Sequence, residues 1–165
     1  MIDETGFLKQ GKASCGVARQ YTGSADKITN CQIGVFASYV SRHGYAFIDR
    51  ALYLPKNWTS DPARLAATYV PPKIGLATKP QLAAGKIARA IAAQVPFAWV
   101  AADDLYGVGD IERDLRRAGK GYVLGVSSAL VRVMGQGATS RRFCPRNRED
   151  ATTIRLAAPV GRCGN

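Results

Sequence analysis

The 165-residue sequence has a single histidine, four cysteines and only 12 acidic residues against 23 Lys and Arg. The cysteines at 15, 31, 144 and 163 include no C-x-x-C pair, so neither a zinc site nor a disulfide framework is indicated. His43 falls in a hairpin turn with no Ser or Asp spaced around it as in a hydrolytic triad, and it reads as a turn residue. No apolar run approaches the roughly 18 residues that a membrane span needs, and the opening Met1-Ile2-Asp3-Glu4 lacks the basic flank and apolar stretch of a signal peptide. These absences predict a cytoplasmic protein with no membrane partner. What is present is 47% hydrophobic residues, the makeup of one globular domain, with a net charge of +11 and a pI near 9.9. Such an excess points to a polyanion, nucleic acid first.

The charge is uneven. Residues 129–165 carry a net +5 on seven arginines and two acids, with no lysine and one aromatic, Phe143. Beyond Val133 no apolar spacing of 2 or 3.6 is sustained, so a boundary is placed at 128: a folded part over 1–128 and a disordered tail over 129–165. A one-nucleotide frameshift near codon 128 would account for this change of composition.

Within the folded part, residues 2–8 read as a strand. Cys31 to Val40 sets Ile33, Val35, Ala37 and Tyr39 against Phe36 and Val40, as in a strand covered on both faces. Ser41 to Gly44 predicts a hairpin turn into a second alternating run ending at Leu54 before Pro55. Asp61-Pro62 opens a short helix. Ala83, Ile87, Ala90, Ile91 and Gln94 recur at helical spacing over 80–94. Residues 97–102 form a short apolar strand. A helix with Ile111, Leu115 and Ala118 on one face runs from Asp110 to a stop at Gly119, and 121–127 is a buried strand. This succession is the ribonuclease-H-like α/β order: a mixed sheet with flanking helices, incomplete at both ends. In that order the first strand and the 97–102 strand lie side by side. Asp3 and Asp103 would then meet, and two adjacent carboxylates call for a hard cation such as Mg²⁺ or Mn²⁺. Such a site suits attack of water or a 3′-hydroxyl on a phosphodiester.

Four segments carry a resemblance: Asp3-Glu4-Thr5-Gly6-Phe7-Leu8-Lys9, Gly16 to Tyr21, Asn30 to Val35, and Ala102-Asp103-Asp104-Leu105-Tyr106-Gly107. In order and over 1–128 they closely resemble the DDE transposases of bacterial insertion sequences, the IS-four-like group of DDE-superfamily endonucleases. The resemblance implies a DNA transposase catalytic core that cuts and joins an insertion sequence in DNA transposition and recombination. It implies Asp3 and Asp103 as the first two metal ligands, with Mg²⁺ or Mn²⁺ as the cofactor. Asp104 is a neighbour or the less favoured ligand, and Tyr106 is read either as orienting the motif or as a core or rim tyrosine. Lys9, Arg19 and Lys79 lie in family-like segments and are candidates for DNA phosphate contacts. The partners implied are the element ends, target DNA and a transposase oligomer in a bacterial, nucleoid-associated setting. Relatives have a long region before the first strand and a third ligand, a Glu, on a helix beyond the last core strand. Glu149 lacks a helical setting for that role, so the chain is expected to be a truncated, inactive fragment. The alternative is a noncatalytic basic module that binds DNA or a transposase.

Overall fold

A computed structural model describes residues 1–107 and 109–126, together with the backbone of two strands at 139–142 and 153–157. The chain is a mixed α/β structure. β1 (Ile2–Leu8), β2 (Ala18–Thr22), β3 (Lys27–Ser41) and β4 (Gly44–Tyr53) form an antiparallel sheet built on β3. β1 pairs with residues 31–37 of β3 along one edge, while β2 at 27–31 and β4 at 33–41 follow one another along the other. β3 is therefore longer than the 31–40 strand the sequence predicts, and β2 is an element that reading did not separate.

The helices begin where their caps dictate. After α1 (Lys56–Thr59), the Asp61 carboxylate accepts the Arg64 amide at 3.0 Å and opens α2 (Pro62–Ala67). Thr78 and Gln81 form a capping box for α3 (Lys79–Ala92), with Pro80 in the first turn. β5 (Trp99–Ala102) leads through a 3-10 turn at Asp104–Tyr106 into α4 (Gly109–Arg117), which stops at Gly119 with φ +64°. β6 (Gly121–Val126) pairs in parallel with β5.

The core lies between β3 and the helices. Val35, Ala37, Ala83, Ile87, Val100, Tyr106, Ile111, Leu115 and Leu124 are buried in one cluster with Ile2. The opposite face of the first sheet was expected to be covered, but it carries a row of aromatics instead. Phe7 and Phe47 flank Phe36 with ring centroids 6.2 and 5.2 Å away, and they are 46% and 69% exposed. The inner face alone meets α3, so burial is one-sided there.

β1 lies beside β5 but the two share no ladder, so the described strands form two sheets. In the second sheet β6 also pairs with β8 (Thr153–Ala157), and β8 with β7 (Thr139–Arg142), both antiparallel. These two strands fall in the region where the sequence offered no sustained period. Strand pairing needs only main-chain donors and acceptors, and the free edge of β6 supplies them. The rest of 129–165, including Glu149, lies outside the described residues.

Candidate active site

The strand period decides which way the acids of β1 face. Ile2 sits opposite Ala37 and is 4% exposed, so it points into the core, and Glu4, opposite Val35, shares its face. Asp3 lies opposite Phe36 on the outer face and is exposed. One Asp3 oxygen accepts the Glu4 amide at 2.7 Å. Asp3 has no ion-pair partner among the described residues.

Glu4 is fully engaged. Its Oε1 is 2.6 Å from Lys79 Nζ, and its Oε2 accepts the Tyr106 hydroxyl at 2.5 Å. Lys79 is the first residue of α3, where the helix dipole disfavours a cation, and Glu4 offsets that charge. Tyr106 is completely buried; burial first, then its bond to Glu4, pushes its pKa up and keeps the hydroxyl protonated as a donor. The bond joins β1 to the turn after β5, two elements with no backbone ladder between them.

Asp103 caps that turn, its Oδ1 accepting the Leu105 amide at 3.2 Å. Its pKa is pushed up to about 6, by partial burial first and then by the negative charges of Glu4, Asp104 and, least, Asp3. The Leu105 amide pulls the other way. Asp103 therefore feels both β1 carboxylates, Glu4 more strongly, and Asp3, which faces the other side of the sheet, least. Gly125 of β6 lies beneath the turn: a Cβ there would stand 2.5 Å from the Asp104 nitrogen and 2.8 Å from the Asp103 carbonyl carbon. The absence of a side chain at 125 lets the acidic turn sit against the sheet.

The three basic candidates do not converge. Lys79 is within the site, but as the half-buried partner of Glu4. Lys9 and Arg19 are exposed and meet near Asn30, whose side-chain amide donates to the Lys9 carbonyl at 2.8 Å and which pairs with Arg19 in register. Lys9 is six residues from Asp3 along the chain, about 20 Å at a strand's rise of about 3.3 Å per residue. His43 sits in the β3–β4 turn with its amide bonded to Ser41 Oγ at 3.1 Å. Sequence reasoning missed Glu4 and Gly125. Alternation counted from the apolar Ile2 would have turned Glu4 inward; nothing local marked Gly125, whose constraint comes from a contact across the fold.

The donor set is chemically apt for a hard divalent cation. Asp3 and Asp103 each commit one oxygen to a backbone amide and have no ion-pair partner among the described residues, and burial first, then the neighbouring carboxylates, raises the Asp103 pKa, an arrangement that a cation would offset. Among the described residues, no group of three or more His, Cys, Asp or Glu side chains is arranged to hold a metal. No helix among them is long and apolar enough to cross a membrane.

No curated protein and no solved structure matches the chain. A family model described as DDE superfamily endonuclease matches residues 1–147, most of the sequence and all of the acidic site just described. With the carboxylates of β1 and of the turn after β5 gathered within that match, the chain belongs to the DDE superfamily of endonucleases.

Proposed function

We propose that this chain is the catalytic core of a DDE transposase from a bacterial insertion sequence, of the IS-four-like group and with a ribonuclease-H-like arrangement. The observation that carries the reading is the meeting of the β1 and β5 strand ends, which sets Asp103 among carboxylates of β1 within the family match. Asp3 and Asp103 would hold Mg²⁺ or Mn²⁺. Glu4, with both oxygens taken by Lys79 and Tyr106, stands behind them as a support. When bound, the cation supplies Lewis acidity to a phosphodiester oxygen and to the attacking hydroxyl. The chain's own residues pair Glu4 with Lys79 and, through Tyr106, tie β1 to the turn after β5. The substrate is DNA, attracted by the +11 net charge; Lys9 and Arg19 are exposed for phosphate contact, whereas Lys79 must first leave Glu4.

Among the described residues two acidic ligands are placed, one short of the triad the family name denotes, and on this reading the chain by itself binds metal and DNA without cutting. A supercoiled plasmid incubated with the protein and Mn²⁺ tests this. Salt-sensitive retardation without nicking is expected. Nicking that Asp3→Ala or Asp103→Ala abolishes would show a self-sufficient nuclease instead.

A further inference from the structure

Negative charge gathers where β1 meets the turn after β5, since Asp103 feels Glu4, Asp104 and Asp3 together. Among the described residues one cation pairs with any of these carboxylates: Lys79, whose Nζ is 2.6 Å from Glu4. A DNA phosphate approaching the cluster meets like charge, and the ammonium that could receive it is already taken. Lys9 and Arg19 are exposed, but they lie beyond the far end of β1 from Asp3. They can hold DNA without seating it at the acidic site, so a phosphate there depends on Lys79.

The two partners of this ion pair are held very differently. Glu4 is fixed, because its strand pairs with β3 and its second oxygen accepts the hydroxyl of the buried Tyr106. Lys79 is held at its side-chain end by Glu4 alone. Among the described residues its Nζ hydrogen-bonds to no other group, and its further attraction is the Tyr53 ring, with a centroid 5.8 Å away. An ammonium has three donors, so two are unspent on the protein, and the side chain keeps 19% of its surface in solvent. The flexible four-carbon stem lets Nζ leave Glu4 without moving the backbone. Lys79 is the first residue of α3, and the helix dipole favours negative charge at that end, so whatever takes the lysine from Glu4 has to be an anion.

Building on the DNA reading above, we propose that the Glu4–Lys79 pair is an autoinhibitory contact: Glu4 stands in for a DNA phosphate and withholds Lys79, and a backbone phosphate entering the acidic site takes the lysine by ion-pair exchange. No covalent bond forms or breaks, so the exchange is reversible. In the held state DNA rests on the general basic surface. In the released state Lys79 grips one further phosphate and seats the strand at the carboxylates. Glu4 thereby sets how readily DNA reaches the site, a regulatory role apart from its support of Asp103.

The test measures duplex binding by fluorescence anisotropy over a salt series, without divalent cation, for the full chain, Glu4→Gln, Lys79→Gln and the double variant. Glu4→Gln removes the charge but keeps a carbonyl oxygen for the Tyr106 hydroxyl. It should bind about tenfold more tightly, roughly one charge-assisted hydrogen bond, with a log–log salt slope steeper by about 0.9 for one added phosphate contact. Lys79→Gln should then cost about tenfold more in the Glu4→Gln background than in the wild-type chain. Asp26→Asn controls for net charge, since Asp26 accepts the Tyr21 hydroxyl at 2.7 Å and pairs with no cation among the described residues. A second readout leaves Glu4 unchanged: in the reductively ¹³C-methylated chain, the Lys79 resonance, assigned by its loss in Lys79→Gln, should move when duplex is added. An affinity of Glu4→Gln no higher than that of Asp26→Asn, a gain that persists in the double variant, or a Lys79 resonance unmoved by saturating duplex would overturn the exchange and leave the proposed function standing. A folded wild-type chain that binds no DNA would overturn both.

Discussion

At the residue scale, Asp103 is the group whose ionisation the fold opposes. Its pKa rises to about 6 from an ordinary 3.8, so between those values the native chain holds a proton that the unfolded chain has released. Stability from this group is therefore undiminished at low pH, falls as pH climbs from about 4 to 6, and stays reduced above. Asp103→Asn should melt higher than wild type at about pH 7.5, with the gap closing near pH 4; thermal melts of both proteins across this range check the sign. Tyr106→Phe removes the hydroxyl that Glu4 accepts at 2.5 Å, and a hydrogen bond to a charged group contributes about 1.5–3 kcal/mol. Urea midpoints should show a loss of that size in Tyr106→Phe, and an unchanged midpoint would mean that the bond does not hold the strand ends. The aspartates were legible because they sit in short family-like segments. Glu4 was in plain view but was read only as part of a motif; its inward direction followed from Ile2, two residues earlier on the same face.

At the element scale, the turn after β5 and the strand beneath it are matched through Gly125. A methyl group there would collide with backbone, which cannot swing aside as a long side chain can. Gly125→Ala should cost about 1–3 kcal/mol by denaturant unfolding, the usual range for overpacking, and should weaken divalent-cation binding by displacing Asp103. A variant with wild-type stability and metal affinity would show that the turn has room to spare. α2, α3 and α4 were the easiest elements to read, because Asp61-Pro62, the spacing of Ala83, Ile87, Ala90 and Ile91, and Gly119 are local signals whose physics does not depend on the rest of the chain; the Thr78–Gln81 cap and the one-turn α1 were not read. β2 was harder. Its five residues alternate between exposed and covered positions only because β3 runs long enough to pair with it, a long-range circumstance. β8 shows the same limit. Ile154 and Leu156 alternate, but a run this short, set among arginines, carries little weight without the β6 edge it pairs with.

At the scale of the whole molecule, a net charge of +11 is combined with a small acidic site at the end of β1. The basic excess attracts DNA broadly, and the affinity should fall steeply and linearly in log–log terms as salt increases, with little dependence on sequence. Fluorescence anisotropy of two unrelated duplexes over a salt series checks both points, and a strong preference for one duplex would require base-specific contacts. The central claim is narrower: Asp3 and Asp103 form a cation site supported by Glu4, Lys79 and Tyr106. Isothermal calorimetry with Mn²⁺ at about pH 7.5, where Asp103 is ionised, tests it most directly. The account predicts saturable binding that Asp3→Asn and Asp103→Asn abolish and that Lys9→Ala leaves intact. Binding that survives Asp103→Asn, or no binding by the folded wild-type chain, would contradict it.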